Sequence, residues 1–283
     1  MKKLKLFNFI PIIMTAPAIV IGTIAMYYNR ISNFIIIQNI IGLVIMGLIS
    51  YYLLSGNINI CRNKNIKDIF KLIPLILLLL TFIGEGMMGV HRWIAIGPIR
   101  LNIAMIVMPI IILSLWKLLK NNSWWKVAII TIFISIVLFI QPDASQLSGF
   151  AIPMIFMLYK NGDKRNFSTI ISVGLFILVI LSWIHLDNLS PVSYVEEILN
   201  LVANMGQVWF LLGIVSLVIL PTPFILFPPE KLKLPSLCIG IYFIIIIIST
   251  FFGNFPVPLM GYGISPIIGY IISITWYTKL KFN

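Results

Sequence analysis

The stretch Val127-Ala-Ile-Ile-Thr-Ile-Phe-Ile-Ser-Ile-Val-Leu-Phe-Ile-Gln-Pro-Asp143 decides the fold class of this chain. It contains no charge until Asp143, which would be costly in lipid, and Pro142 forbids a continuous helix. A second apolar segment begins directly after the proline. The pattern therefore predicts two short membrane-spanning helices, over 125–140 and 145–159, joined by a tight turn on the outer side.

Apolar segments of this kind recur along the whole chain. Hydrophobic residues make up 60% and charged residues 10% of the sequence, whereas soluble domains have roughly 45–50% and about 25%. A crossing needs about 20 mostly apolar residues. The predicted spans are 6–27, 33–54, 70–88, 101–119, 125–140, 145–159, 168–185, 207–227, 235–252 and 262–278. We expect an all-α, polytopic integral membrane helical bundle of about ten transmembrane helices, in a single domain over 1–283.

The positive charges indicate the orientation. Cytoplasmic loops of membrane proteins are enriched in Lys and Arg, and 17 of the 20 basic residues fall in alternate loops together with the two termini. The three on the opposite side are Arg30, Arg92 and Arg100. This sorting predicts a multi-pass protein of the cytoplasmic membrane with both termini inside the cell. The net charge of +12 is divided among short clusters, which argues against a nucleic-acid-binding face.

Two further features of the sequence argue against a protein with a cleaved signal peptide and against a disulfide-linked fold. The start, Met1-Lys-Lys-Leu-Lys5, resembles a signal peptide, but no small-residue cleavage site follows, so a retained first helix is expected. Cys61 and Cys238 fall in or near predicted cytoplasmic segments and offer no disulfide framework.

The segment Gly89-Val-His-Arg-Trp-Ile-Ala-Ile-Gly-Pro-Ile-Arg100 is the first candidate for chemistry. It is an outer loop with a Gly97-Pro98 turn and an interfacial Trp93. Arg92 and Arg100 could hold phosphate oxygens, because guanidinium groups bind them in bidentate fashion. Alternatively, Trp93 and the arginines only anchor the loop at the headgroup level.

Asp143 and Glu85 are carboxylate candidates at the outer ends of predicted spans. Asp143 is placed to N-cap the sixth span, with Gln146 three residues on as in a capping box. The same carboxylate could bind a cation or a sugar hydroxyl. Glu85, between two glycines, is either functional or extends to the interface.

The outer loop over 186–206 carries Glu196 and Glu197. The stretch 191–204 is typical of a short amphipathic helix that lies along the interface. The two carboxylates could cap its first turn, or one of them could act as a general base.

The segment from Asn254 to Pro266 opens the last span and contains three prolines and two glycines. Irregular backbone at the membrane boundary persists only where protein or a wet cavity satisfies it. We therefore expect a packed vestibule here, and include Tyr262 and Ser265 among the candidates for substrate binding.

Three motifs, in this order, resemble the SEDS family (shape, elongation, division and sporulation). Arg92-Trp-Ile followed by Gly97-Pro98 is similar to the family's Arg-Trp-Ile-x-x-Gly-Pro segment. Gln141-Pro-Asp143 is similar to its Gln/Glu-Pro-Asp-x-Gly turn, and Pro256-Val-Pro-Leu-Met-Gly-Tyr-Gly-Ile-Ser265 resembles its entry to the last helix. The resemblance covers roughly residues 70 to 278 and agrees with ten helices.

The resemblance implies a glycosyltransferase that polymerises lipid II into peptidoglycan outside the membrane, beside a penicillin-binding transpeptidase. Glu196 or Glu197 would then deprotonate the acceptor sugar. Arg92 and Arg100, or a divalent cation such as Mg²⁺ or Mn²⁺, would stabilise the departing pyrophosphate.

The chain also departs from the family pattern. Met105 and Met108 stand where the family has Glu and Lys, and Ser145 replaces the Gly of the turn. The outer loop is much shorter, and Val195 stands where the catalytic Asp would fall, one residue before Glu196. These losses favour an alternative, a non-catalytic membrane subunit that binds a lipid-linked precursor or a transpeptidase. A further alternative is a flippase for the precursor, although the predicted spans contain few charged residues.

Overall fold

The structure is a computed structural model that describes residues 6–56, 64–84, 86–97, 99–121, 123–162 and 165–282, with the backbone alone over 64–71. The described residues form α-helices joined by short turns, with one two-stranded hairpin. The helices are α1 (Ile10–Tyr28), α2 (Asn33–Ser55), α3 (Lys64–Leu80), α4 (Ile103–Leu119), α5 (Trp124–Ile140), α6 (Ala144–Lys160), α7 (Arg165–Ile184), α8 (Ile198–Asn204), α9 (Gln207–Ile219), α10 (Thr222–Leu226), α11 (Lys233–Ser249) and α12 (Ile264–Phe282). Short 3₁₀ turns at Leu6–Phe9 and Glu230–Leu232 precede α1 and α11.

Within the described residues, four helical segments are long and apolar enough to cross a membrane. They are Leu6–Tyr28, Asn33–Ser55, Arg165–Ile184 and Glu230–Ser249. Shorter apolar helices lie at Ile103–Leu119, Trp124–Ile140 and Gln207–Ile219. The described chain is predominantly helical, as predicted. In lipid, these apolar runs can hydrogen-bond all their backbone groups only as helices.

Every predicted span overlaps a helix, and three of the spans contain a change of structure that was not predicted. The third predicted span reached residue 88, whereas α3 ends at Leu80. The fourth was predicted from 101, but residues up to Asn102 belong to the hairpin, β1 (Trp93–Ile96) with β2 (Ile99–Asn102).

The span predicted over 207–227 is two helices, α9 and α10, because Pro221 between them cannot donate a backbone hydrogen bond. The carbonyl of Leu220 accepts instead from the Tyr270 hydroxyl at 3.0 Å. The Leu220 carbonyl at the break is therefore hydrogen-bonded by a side chain of α12.

The described chain divides into two compact units. The first unit comprises Met1–Ile60, Ser190–Glu230 and Ile247–Asn283. In it α1, α2 and α12 pack on one another, and α1 also contacts α8 and α9. Small buried residues such as Ala18 and Ala25 let α1 approach its neighbours closely.

The second unit comprises Cys61–Leu189 and Lys231–Ile246. In it α6 packs against α4, α5 and α7, and α3 packs against α4. The buried side chains of α6 include Leu147, Phe150 and Met154. The hairpin and the turn between α5 and α6 belong to the same unit.

Candidate functional site

A buried group of opposite charges lies in the second unit. We call Arg92, Asp143 and Asp187 the Arg92 cluster. The Arg92 guanidinium donates from Nη2 to Asp187 Oδ2 and to the Pro142 carbonyl, and its Nε lies 3.5 Å from Asp143 Oδ2. Arg92 is 3% and Asp143 2% exposed. The cluster joins the residue before β1, the α5–α6 turn and the segment after α7.

Asp143 also caps α6, as predicted. Its Oδ1 accepts from the Gln146 backbone N–H at 3.1 Å. The Gln146 side chain does not complete the reciprocal half of a capping box, because its Oε1 accepts from the Tyr242 hydroxyl at 2.8 Å. Gln146 thus ties the start of α6 to α11.

One guanidinium serves two carboxylates in this cluster. If all three groups are ionised, a net negative charge is buried, and such a charge is expensive in a low dielectric. Burial accordingly raises the pKa of Asp143, although the Arg92 charge and the Gln146 N–H act in the opposite direction. The neighbouring Asp187 charge raises it further. Burial therefore favours the protonated form of Asp143.

Sequence reasoning did not assign Asp187 to the site. It lies just beyond α7, where its Oδ1 also accepts from the Leu189 N–H at 3.0 Å. A buried arginine needs carboxylate partners. Pairing Arg92 with each acidic residue predicted on the outer side could therefore have identified Asp187.

The hairpin holds the other two candidates of the arginine segment. Trp93 pairs with Asn102, and Ala95 pairs with Arg100. The Arg92 guanidinium lies 5.9 Å from the Trp93 ring centroid. Arg100 is exposed, and its Nη1 lies 2.7 Å from Met87 Sδ. The two predicted phosphate ligands therefore differ: Arg100 is open to solvent, whereas a phosphate at Arg92 would have to displace a carboxylate.

Glu196, Glu197, Tyr262 and Ser265 all belong to the first unit. Glu196 is half-buried and its carboxylate accepts from the Val192 N–H at 2.8 Å, whereas Glu197 is exposed at the N-cap of α8. Ser265 is buried in the first turn of α12. Glu85 lies outside the described residues.

The predicted interfacial helix over 191–204 is shorter in the structure. α8 begins only at Ile198. Before it, the backbone N–H groups of Val195 and Glu196 both point to the Val192 carbonyl, at 2.9 and 3.0 Å. Because Glu196 bonds Val192 N–H, this tight turn is closed on itself and the helix starts anew at Ile198.

The turn that carries Glu196 is bound to the segment before α12. Tyr262 N–H donates to the Tyr194 carbonyl at 2.8 Å, and Val257 N–H donates to the Val195 carbonyl at 3.2 Å. The Tyr262 hydroxyl donates to Gln38 of α2. We call this region, Val192–Glu197 with Val257–Gly263, the Glu196 loop.

Asn39 supports the Glu196 loop from α2. Its Nδ2 donates to the Gly261 carbonyl at 3.2 Å, and its Oδ1 accepts from Gly263 N–H at 3.1 Å. Asn39 is fully buried. The irregular backbone predicted at this boundary is thus satisfied by protein groups, as membrane-depth backbone requires.

The donor groups do not fit a divalent cation in the Arg92 cluster. Among the described residues, no group of three or more His, Cys, Asp or Glu side chains could hold a metal ion. The two carboxylates of the cluster already face a guanidinium. A cation that assists pyrophosphate departure stays a prediction of the resemblance, and no step below depends on it.

The fold defines the class of protein. A single-substitution variant of the rod shape determining protein RodA of Thermus thermophilus matches with a TM-score of 0.70 at 14% identity, over 96% of this chain and 97% of that chain. Unsubstituted RodA from the same organism matches with a TM-score of 0.66 at 16% identity, with the same coverage. The chain is a multi-pass helical membrane protein with a RodA-like fold.

The sequence comparison agrees with this fold. The chain is 35% identical over 119 residues to the FtsW protein of Mesostigma viride, whose name describes it provisionally as a peptidoglycan glycosyltransferase. The match covers 37% of this chain and spans about a quarter, 26%, of that relative. No family model matches the chain. The resemblance to the SEDS family is confirmed by these relatives in sequence and in fold.

Proposed function

We propose that this chain is a SEDS-type membrane protein of peptidoglycan synthesis that transfers glycosyl groups from lipid II at the Glu196 loop. The observation that carries the proposal is the RodA-like fold over 96% of the chain. It is supported by the position of Glu196, half-buried in a turn that is hydrogen-bonded to the segment before α12, which Asn39 of α2 supports in turn.

The proposed chemistry needs one base and one good leaving group. A Glu196 carboxylate would take the proton of the acceptor sugar hydroxyl while that oxygen bonds to the anomeric carbon of the donor. The bond between the anomeric carbon and the pyrophosphate oxygen breaks, and the polyprenyl pyrophosphate leaves with the electron pair.

The proposal includes a topology of ten crossings with both termini in the cytoplasm. The crossings would be α1 to α7, α9 with α10, α11 and α12. The charge distribution supports this orientation, since 17 of 20 basic residues then lie inside. Reporter fusions after residues 121, 162 and 283 should report cytoplasm, and fusions after residues 30 and 190 should report the outside.

The test of catalysis uses Glu196→Gln and Glu197→Gln, with Glu230→Gln as the matched control. Each variant is purified and supplied with lipid II, and glycan chains are measured. E196Q should lower polymerisation by at least about a hundredfold, as expected for loss of a general base. E230Q should match the wild type. Unchanged polymerisation by both E196Q and E197Q would contradict the catalytic proposal.

A second candidate function is a non-catalytic subunit that binds a lipid-linked precursor or a penicillin-binding transpeptidase. The engagement of Arg92 by two carboxylates favours it, because a buried and paired guanidinium does not receive a phosphate readily. Binding of lipid II by wild-type protein without polymerisation, together with co-purification of a transpeptidase, would select this function.

A further inference from the structure

Two turns at one end of the second unit carry a surface that the proposed function does not use. They are the α4–α5 turn, between Leu119 and Trp124, and the α6–α7 turn, between Lys160 and Arg165. Trp124 Nε1 donates to the Leu158 carbonyl at 3.0 Å. The Trp125 and Phe167 rings meet edge to face with 5.1 Å between their centroids. The two turns therefore form one continuous surface.

This surface is strongly basic. The described cations on it are all exposed: Lys117, Lys120, Lys126, Lys160 and Arg165. The sequence of the two turns adds Lys164 and a single acid, Asp163, which lie outside the described residues. An anion is therefore the complementary ligand.

Aromatic rings hold three of these cations. Lys120 Nζ lies 5.4 Å from the Trp116 ring, and Lys160 Nζ lies 5.8 Å from the Phe156 ring. The Arg165 guanidinium lies over the Tyr159 ring and donates from Nε to its hydroxyl at 3.1 Å. Cations fixed over rings lose less freedom when they bind an anion.

Exposed apolar residues continue inward from the basic surface. Trp125 is 51% exposed, and Ile129, one turn further along α5, is 64% exposed. On α7, Ile170 follows Phe167 and is 66% exposed. On α7 the order from the start of the helix inward is cation, aromatic ring, aliphatic side chain (Arg165, Phe167, Ile170). On α5, which packs against α7, Trp125 is followed in the same direction by Ile129. This order matches the phosphate, glycerol and acyl chains of a phospholipid.

We propose that these two turns form a binding site for an anionic phospholipid of the bilayer. Basic residues between helices next to a membrane recognise anionic headgroups, and aromatic rings lie at headgroup depth. Topogenic charge alone requires only an excess of Lys and Arg in each loop. It does not require rings that fix the cations or a ring contact that joins two turns.

The test measures lipid binding by native mass spectrometry, with full-length protein released from nanodiscs of phosphatidylglycerol or phosphatidylcholine. Wild-type protein should retain phosphatidylglycerol preferentially. Lys120→Gln with Lys160→Gln should weaken this binding by about tenfold or more, since each juxtamembrane cation contributes substantially. The matched control, Lys279→Gln with Lys281→Gln, removes the same charge from α12 and should change binding less than about twofold.

A second variant keeps every charge. Trp125→Leu with Phe167→Leu removes the ring contact and should also weaken phosphatidylglycerol retention, while circular dichroism shows unchanged helix content. Three results would overturn the proposal. They are equal retention of both lipids by the wild type, equal loss in both lysine variants, and displacement of phosphatidylglycerol by equimolar undecaprenyl pyrophosphate, which would assign the surface to a lipid-linked precursor.

Discussion

The Arg92 cluster and the Glu196 loop are held in opposite ways. The cluster is fixed by buried charges, with one guanidinium between two carboxylates. The bonds that hold the Glu196 loop to the segment before α12 and to α2 come from neutral groups, namely backbone hydrogen bonds to Tyr194 and Val195 and the amide of Asn39. Charged contacts depend on protonation and on every partner being present, whereas backbone contacts depend mainly on shape.

This difference assigns different tasks to the two regions. A buried ion pair has little net gain in stability but is costly to break, so the cluster suits a fixed joint between three segments. The Glu196 carboxylate is only half-buried, so it is partly accessible from the surface. The Glu196 loop is therefore the better place for a base, and the Arg92 cluster is the better place for a structural tie.

Removal of the Arg92 guanidinium should have the largest effect. Arg92→Ala leaves two carboxylates buried without their cation, and loss of one partner of such a pair costs about 3–5 kcal/mol. Thermal unfolding of purified protein, followed by tryptophan fluorescence, measures the loss.

The control for this prediction is Arg100→Ala on the same hairpin. Arg100 is exposed, so its removal should change the free energy of unfolding by less than about 0.5 kcal/mol. Equal losses in R92A and R100A would show that the cluster is not the joint described above.

A larger side chain at Gly22 should disturb the Glu196 loop by shape alone. A Cβ at Gly22 would collide with the Met260 carbonyl, which is backbone in the segment before α12. Overpacking of this kind costs about 1–3 kcal/mol, so we expect Gly22→Ala to destabilise the protein by about 3 kcal/mol.

Gly174→Ala is the matched control for this glycine. No atom lies within 4 Å of its would-be Cβ, and alanine favours a helix over glycine by about 1 kcal/mol. A gain or no change in G174A, beside a loss in G22A, would identify the contact with Met260 as the cause. A neutral G22A would show that the loop can move away.

The sequence predicts the helical membrane fold well because lipid leaves few alternatives. Long apolar runs must be helical, and Pro142 forces the turn between α5 and α6. The segment up to Arg100 was predicted as an outer loop with a turn, but not as a hairpin, because the pairing of Trp93–Ile96 with Ile99–Asn102 depends on the turn at Gly97, which has a φ of 59°. The early end of α3 was missed because residues up to 88 remain mostly apolar.

The candidate site was predictable residue by residue but not as a set of contacts. Asp143 was found because an N-cap follows from local sequence. Asp187 was not, because it is 95 positions from Arg92 and only the fold brings the two together. The support from Asn39 to Gly261 spans 222 positions and involves a backbone carbonyl, which no side-chain pattern reveals.

Removal of the Asn39 amide should have a moderate effect on the neutral region. Asn39→Ala leaves the Gly261 carbonyl and the Gly263 N–H without these bonds. A buried polar group that loses its partner costs about 1–3 kcal/mol, so we expect a loss of about 2 kcal/mol in thermal unfolding.

Asn29→Ala serves as the comparison for Asn39. The Asn29 side chain donates to the Ala25 carbonyl at 2.8 Å at the end of α1, in a partly exposed position, so a loss below about 1 kcal/mol is expected. If N39A also lowers polymerisation with stability restored at low temperature, the support acts on the position of Glu196. Full activity in folded N39A would contradict that role.

The smallest effect should come from pH and should separate the charged region from the neutral one. Burial raises the pKa of Asp143 in the folded protein, whereas an unfolded Asp has a pKa of about 3.9. Between these two values the folded state binds the proton more tightly, so stability should increase as the pH falls through the raised pKa and level off near pH 4. Asp143→Asn keeps an N-cap and removes this titration.

Thermal unfolding at several pH values between about 4 and 8 should therefore show a stability that rises towards low pH in the wild type and rises less in D143N. N39A should keep the wild-type slope, because the Glu196 loop lies in the neutral region. Parallel curves for the wild type and D143N would mean that Asp143 stays ionised in the folded protein and that Arg92 offsets its charge.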